Sequence, residues 1–285
     1  MLKPYLQLLR IPGIFTAISN VVMGFLVSQT TTENQILLLP LMVSSGLLYS
    51  SGMVLNDYFD YNVDKTQRPT RPLPSGKIQR RSALILGIIF LSSANIIALF
   101  VSAQTILLTV AISGLILLYN MKVKNIITTG IFTLCLIRVL NVYLGFTAVG
   151  ISLNLAFIPI PLAILIASLS ILGKVETEST TSKITTLNLI MLGFAAISLL
   201  IISSQSEEYG YLIFFTMFIG LLLFSLFKFN QKTSTSTQNK ITYQLLSIIF
   251  LDATIIAAFL SSFQAALIAA LFIPAYLLVK KIYLT

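Results

Sequence analysis

Ten apolar runs, joined by short polar loops, constrain this chain more than any other feature. They cover about residues 11–28, 36–56, 82–101, 104–119, 126–148, 153–172, 184–204, 209–227, 241–260 and 263–279. A bilayer core of ~30 Å takes roughly 20 apolar residues per helix, and only helices or closed barrels satisfy their backbone groups there. Runs of this length predict helices. The expected fold is an all-α membrane protein, a multi-span bundle of nine to ten helices in a single domain over residues 1–285. Pro159 and Pro161 are expected to kink the sixth span.

The basic residues test this partition independently. Of the 18 Lys and Arg, 17 fall in the N-terminal segment, in alternate loops or after the last span, and Arg138 alone falls inside one. The opposite loops carry only Glu33, Glu207 and Glu208. Positive charge stays cytoplasmic, which predicts an integral protein of the cell (inner) membrane with both termini on the cytoplasmic side. No cleavable signal is expected, since residues 1–10 are short and no small-residue cleavage pattern follows the first run. The net charge of +9 does not indicate nucleic acid, because the basic groups sit in loops between apolar segments.

Composition then removes whole chemistries. There is no His, a single Cys135 and no Trp. Imidazole catalysis, His-ligated zinc, disulfides and thiolate clusters are excluded. Charged residues make up 9% of the chain and only nine are acidic, so the position of each acid is informative.

Three acids stand together at the end of the second span, in Asn56-Asp57-Tyr58-Phe59-Asp60-Tyr61-Asn62-Val63-Asp64. On a continuous helix, spacings of three and seven place Asp57, Asp60 and Asp64 within about 60° of one another. Carboxylates so placed repel and call for a cation, and an all-oxygen set suits Mg²⁺ shared with substrate phosphates. The next loop holds Lys65, Arg68, Arg71 and Lys77 among three prolines. Guanidinium forks match phosphate oxygens, and with a metal they would neutralise a diphosphate leaving group. A loop whose charges merely set topology would not show this helical phase. A second acidic pair, Glu176 and Glu178, follows the sixth span beside Lys174 on the same side of the membrane. It reads either as a second metal site across the cavity or as a solvated Thr-rich loop.

Two ionisable residues lie deep in spans. Arg138 falls about 14 residues past Lys124, ~20 Å along a helix, and a charge there costs ~2.5–3.5 kcal/mol on insertion scales. It is expected to face a cavity together with Asn141, or to close a buried hydrogen bond. Asp252 lies at a similar depth, so an ion pair with Arg138 is a further expectation. Tyr58, Tyr61, Tyr119 and Tyr143 are candidates to stabilise a carbocation through their rings.

These motifs carry a resemblance. Asn56-Asp57-x-x-Asp60-x-x-x-Asp64 followed by Arg68-Pro69-x-Arg71-Pro72-Leu73-Pro74-Ser75-Gly76 resembles the first signature of the UbiA superfamily of intramembrane prenyltransferases. Arg10-Ile11-Pro12 with Asn20 and Gly24 is similar to the family's first span, and Tyr119-Asn120 with Lys124, then Arg138-x-x-Asn141-x-x-x-Gly145, to its fifth-helix region. The tenth span and the Glu-x-Glu pair look most like the EboC-type branch. The resemblance implies a helical ring around a central cavity. Mg²⁺ would be held by Asp57, Asp60, Asp64, Glu176 and Glu178. An isoprenyl diphosphate donor would be bound by Asn56, Arg68, Arg71 and Lys124, with Arg138, Asn141 and Lys174 as further substrate contacts. Ionisation of the donor leaves an allylic cation, which a lipophilic or aromatic acceptor reached from the membrane lipids attacks. Where many members carry a second aspartate motif, this chain has only glutamates. That departure admits a second reading, a non-catalytic isoprenoid-binding or transport protein of the same fold.

Overall fold

A computed structural model describes residues 2–29, 35–149, 155–175, 182–231 and 233–282. Among them every long element is an α-helix: α1 (Leu2–Leu8), α2 (Ile11–Ser28), α3 (Leu38–Phe59), α4 (Tyr61–Gln67), α5 (Arg80–Ala98), α6 (Ala103–Met121), α7 (Ile127–Phe146), α8 (Ile160–Val175), α9 (Ser182–Ser203), α10 (Tyr211–Lys228), α11 (Ser234–Phe259), α12 (Ser262–Ala269) and α13 (Phe272–Val279). Nine helical stretches among the described residues are long and apolar enough to cross a bilayer, with α12 and α13 counted as one, and α8 is a shorter apolar tenth.

Lipid is the solvent of the outer face. Isoleucine, leucine and phenylalanine side chains such as Ile88, Phe132, Phe194 and Phe227 stand more than half exposed there. Such a surface would be an aggregation liability in water, but acyl chains cover it without cost. The inner helices differ. In α11, 83% of the spanning window is buried, and in α2 67%, against 22% in α5 and in α9. The protein is an integral multi-pass membrane protein with α2 and α11 at its centre.

Prolines shape two of the spans. Pro159 and Pro161 do not kink the sixth span; α8 begins at Ile160, so both stand at its start. A proline there removes only an N–H that would have no helical partner, whereas in the interior it would break the ladder. In the tenth span, Pro274 falls in the first turn of α13, and α12 ends at Ala269. A continuous helix would drive the Pro274 ring into the Ala270 carbonyl, so the chain restarts instead.

The approach of α2 and α7 rests on two glycines. A Cβ on Gly24 would lie 2.2 Å from the Val142 carbonyl oxygen, and one on Gly145 would lie 2.2 Å from the Val21 carbonyl oxygen. The two backbones touch with no side chain between them, as small residues permit in membranes. This contact holds in register the two helices that carry Thr16, Asn20, Arg138 and Asn141.

Candidate active site: a cationic mouth over an apolar chamber

A cavity of about 560 Å³ opens among α2, α3, α6, α7, α8 and α11. Its mouth is polar, with Arg10, Asn56, Asp60, Arg68, Arg71 and Lys124, while Leu48, Ile112, Ile116, Leu134, Ile166 and Leu245 line it below. The charged end is built by the α3–α4 junction and the loop that follows. Residues 68–79 are pinned from beneath, because Leu73 and Ile78, each 2% exposed, pack with Leu8, Val54 and Ala83. The turn into that anchor uses Gly76 at φ 74°, in the left-handed region glycine enters freely.

The three aspartates do not act as one group, although the backbone bonds from Asp60 N–H to the Asn56 carbonyl and from Asp64 N–H to the Asp60 carbonyl carry the helical ladder through the junction. α3 ends at Phe59, Asp60 takes φ −83° and ψ 3°, and α4 starts at Tyr61. The carboxylates divide two and one. Arg71 Nη1 lies 2.7 Å from Asp64 Oδ2 and 3.4 Å from Asp57 Oδ1, and Arg10 Nη2 donates to Asp57 Oδ1 at 3.0 Å. Arg68 approaches Asp64 at 3.9 Å. Asp60 turns the other way, into an ion pair with Lys124 across the mouth. Mutual repulsion is relieved by interleaved basic side chains, which the arc of a helical wheel does not represent. Burial pushes the Asp64 carboxyl up, with Arg71 opposing. Burial also draws the Arg71 guanidinium down, seconded by the like charge of Arg10 and opposed by Asp57 and Asp64.

Among the described residues no three acidic or Cys side chains converge into a ready cage for a metal. The donor set nevertheless fits Mg²⁺ in kind: hard carboxylate oxygens, in positions that already hold positive charge. Asp60 is the carboxylate that lines the cavity, with 27% of its side chain exposed, against 3% for Asp57 and Asp64. Glu176 and Glu178 lie outside the described residues. Lys174 is the penultimate residue of α8, and its side chain is likewise outside them.

Asn56 lines the mouth and donates Nδ2 to Asn120 Oδ1 at 3.1 Å. Arg10 is a site residue that the sequence analysis did not select. Its left-handed backbone, φ 47° and ψ 51°, turns the chain from α1 into α2 and delivers its guanidinium to Asp57. Non-glycine residues in that region cluster at functional sites, but φ cannot be read from Arg-Ile-Pro. Of the four candidate tyrosines, only Tyr119 lines the cavity. Tyr58 and Tyr61 lie under the Arg80 guanidinium at 4.6 and 5.2 Å, and Tyr143 donates to the Ala156 carbonyl. Tyr49, not singled out from sequence, lines the cavity as well.

The deep charges meet through an amide. Asp252 Oδ2 accepts from Ser19 Oγ at 2.6 Å and from Asn20 Nδ2 at 2.8 Å, while Arg138 Nη1 donates to Asn20 Oδ1 at 3.3 Å. The expected direct ion pair is therefore replaced by a bridge. Asn20 fits because an amide offers a donor to the carboxylate and an acceptor to the guanidinium. Asn141 lines the cavity, yet both ends of its amide are committed, Nδ2 to the Ala17 carbonyl and Oδ1 to Ser45, each at 2.8 Å. It ties α7 to α2 and α3. A double-mutant cycle checks the bridge: Arg138→Met and Asp252→Leu should couple by about 1 kcal/mol in thermal unfolding. That coupling should vanish in an Asn20→Leu background, and its persistence there would exclude Asn20 as the link.

Comparison with known proteins accords with this architecture. The UbiA prenyltransferase family matches residues 17–249. A digeranylgeranylglyceryl phosphate synthase of Sulfolobus acidocaldarius is 32% identical over 159 residues, which is 55% of this chain and 57% of the relative. That of Methanothermobacter thermautotrophicus is 27% identical over 230 residues, 78% of this chain and 81% of the relative. The first match thus spans little more than half of the relative's length, the second most of it. Among solved structures, a UbiA homologue from Archaeoglobus fulgidus bound to GPP and Mg²⁺ has a TM-score of 0.62 at 16% identity, covering 88% of this chain and 99% of the other. A digeranylgeranylglyceryl phosphate synthase structure gives 0.59 at 23% identity, covering 90% and 98%. At these identities the structural likeness speaks to the fold.

Proposed function

Because this chain belongs to the UbiA prenyltransferase family, we propose that it transfers a prenyl group, with Mg²⁺, from an isoprenyl diphosphate to a lipophilic acceptor reached from the membrane. The observation that carries this reading is the division of one cavity into a charged mouth and an apolar chamber. An isoprenyl diphosphate is divided in the same way. Its tail gains from leaving water for the chamber lined by Ile112, Ile116, Leu134 and Ile166. Its phosphates meet Arg68, Arg71 and Lys124, cations that form charge-assisted hydrogen bonds to phosphate oxygens.

Asp57, Asp60 and Asp64 would hold Mg²⁺, with Glu176 and Glu178 as the second acidic group. The ion supplies charge neutralisation to the departing diphosphate. The chain's own residues do the rest. Lys124 is drawn from Asp60 to the phosphates, Arg10 holds the Asp57 carboxylate in place by donating to it, and Asn56 is oriented by Asn120. Tyr119 presents a ring to the positive charge that develops on the prenyl carbon. The names of the relatives suggest an acceptor of the glyceryl phosphate type. We place the whole chain, 1–285, in one such domain, in the cell membrane with both termini cytoplasmic, on the basis of the basic loops.

A second reading keeps the fold without turnover, as an isoprenoid-binding or transport protein. The closure of Arg71 on both Asp57 and Asp64 favours it. Purified protein in nanodiscs, given Mg²⁺, geranyl and longer prenyl diphosphates and a native lipid extract, separates the two. Mg²⁺-dependent diphosphate release with a prenylated lipid seen by mass spectrometry is the expected result. Donor binding without product from any extract would favour the second reading, and absence of donor binding would remove both.

A further inference from the structure

A ladder of aromatic rings runs over α10, α11 and α13, outside the cavity. Tyr243 of α11 is the ring that both arms of the ladder touch. Phe224 and Phe229, at the end of α10, approach it with ring centroids at 5.2 and 5.3 Å. Tyr276 of α13 approaches it at 6.3 Å and stacks on Phe272 at 5.6 Å. Ring pairs attract at these separations. A lysine stands over each arm. Lys228 Nζ lies 4.8 Å from the Phe224 centroid, and Lys280 Nζ lies 4.6 Å from that of Tyr276. Within about 6 Å a ring face attracts an ammonium, so both charges are held in place on the ladder.

The ladder stands at the end of the molecule that carries the cavity mouth. α2 enters from Arg10 at the mouth and α11 from Lys240, and the two meet at Asn20 and Asp252. Ile241, close to the start of α11, lines the cavity as well. Lys228 and Lys280 are exposed, and so is Lys281 beside them. The surface around them is apolar, with Phe227, Ile273 and Leu277 each more than half exposed. No acidic residue occurs in the sequence between Glu208 and Asp252 or after Asp252, and Asp252 is fully buried. The helices of the ladder therefore bring the lysines no counter-charge of their own. Ammonium groups above amphipathic rings, with bare apolar side chains beside them, follow the order of phosphate, glycerol and acyl chain in a leaflet.

We infer that the face formed by Lys228, Tyr243 and Lys280 seats an anionic phospholipid. Its phosphate is drawn to the two ammoniums, its glycerol lies against the tyrosine rings, and an acyl chain follows Phe224, Ile273 and Leu277. A zwitterionic lipid brings a cation that the lysines repel, so the seat selects a net negative headgroup. The lipid ties α13 to α10 across α11. This seat lies outside the transfer chemistry, and its occupancy does not depend on turnover.

Native mass spectrometry of the full-length protein in mild detergent tests the seat, with phosphatidylglycerol and phosphatidylcholine of matched chains as probes. Wild type should retain phosphatidylglycerol in preference to phosphatidylcholine. Each basic residue near an anionic headgroup contributes about fivefold, so Lys228→Gln with Lys280→Gln should weaken phosphatidylglycerol retention roughly 20-fold and leave phosphatidylcholine unchanged. Lys3→Gln with Arg81→Gln removes the same charge from exposed residues elsewhere and should keep phosphatidylglycerol retention near that of wild type. Phosphatidylglycerol should also raise the melting temperature of wild type and of this control, because a ligand of the folded state stabilises it, but not that of the Lys228/Lys280 variant. Equal losses in the two double variants would assign the attraction to net charge and overturn the seat. Equal retention of both lipids by wild type would overturn it too. Neither readout involves donor binding or transfer, so failure here leaves the proposed function standing.

Discussion

Asp60→Asn should reduce Mg²⁺-dependent binding of geranyl diphosphate by ~10–100-fold or more, since loss of even a supporting side chain at a metal site costs ~10–100-fold in metal affinity. Asp60 is the sharpest of the three aspartates to change because it lines the cavity and is the most accessible of them. The substitution keeps the shape and removes the charge that attracts a divalent ion. Its ion-pair partner is Lys124, at the rim of the protein's polar end, so membrane insertion and melting temperature should change little. Asp57→Asn and Asp64→Asn are less clean. Each leaves Arg71, 6% exposed, short of a counter-charge in a buried setting, which is strongly destabilising when a partner is removed. Calorimetric titration with and without Mg²⁺ separates the terms. The metal-dependent part should collapse in Asp60→Asn, while a weak metal-independent part remains. Unchanged metal-dependent affinity would remove Asp60, and with it this metal site, from the proposal.

Gly145→Ala should give the largest loss of stability for the smallest chemical change. Alanine improves helix propensity over glycine by about 1 kcal/mol, so on local grounds the variant would gain. The added methyl would instead stand 2.2 Å from the Val21 carbonyl oxygen and 2.5 Å from the Phe25 amide nitrogen. Both are backbone atoms of α2 and cannot rotate away. The helices must separate, and forced repacking typically costs ~1–3 kcal/mol and occasionally more, enough to outweigh the propensity gain. Gly24→Ala meets the Val142 carbonyl in the same way and should act in the same direction. Gly114, Gly193 and Gly220 provide the control, because nothing stands within 4 Å of a Cβ at any of them. Alanine there should leave the melting temperature unchanged or raise it. A Gly145→Ala protein as stable as those controls would show that α2 and α7 do not approach this closely. Separation of these helices would also pull Asn20 from Arg138 and Asn141 from Ala17.

How much was legible in the sequence depends on the kind of quantity. Span number followed from apolar length, which is a property of position along the chain. The described helices match nine of the ten expected runs at full spanning length, and α8 supplies the tenth as a shorter helix. The absence of His and the scarcity of acids directed attention to Asp57, Asp60 and Asp64, and the structure brings all three to the polar end beside Arg71 and Lys124.

Their grouping was not legible. A helical wheel ignores partners, whereas the fold gives two carboxylates to Arg71 and one to Lys124. Arg10 reaches Asp57 from 47 residues away through one left-handed residue. Asn20 joins Arg138 to Asp252 across separations of 118 and 232 residues. Composition and periodicity thus determined the solvent, the number of crossings and the chemical inventory of the site, because transfer of a segment into lipid depends on that segment alone. Which charge meets which was decided by the tertiary structure, because ion pairs and amide bridges act over about 3 Å. At that range the rotation and spacing of helices such as α2 and α7 choose the partners.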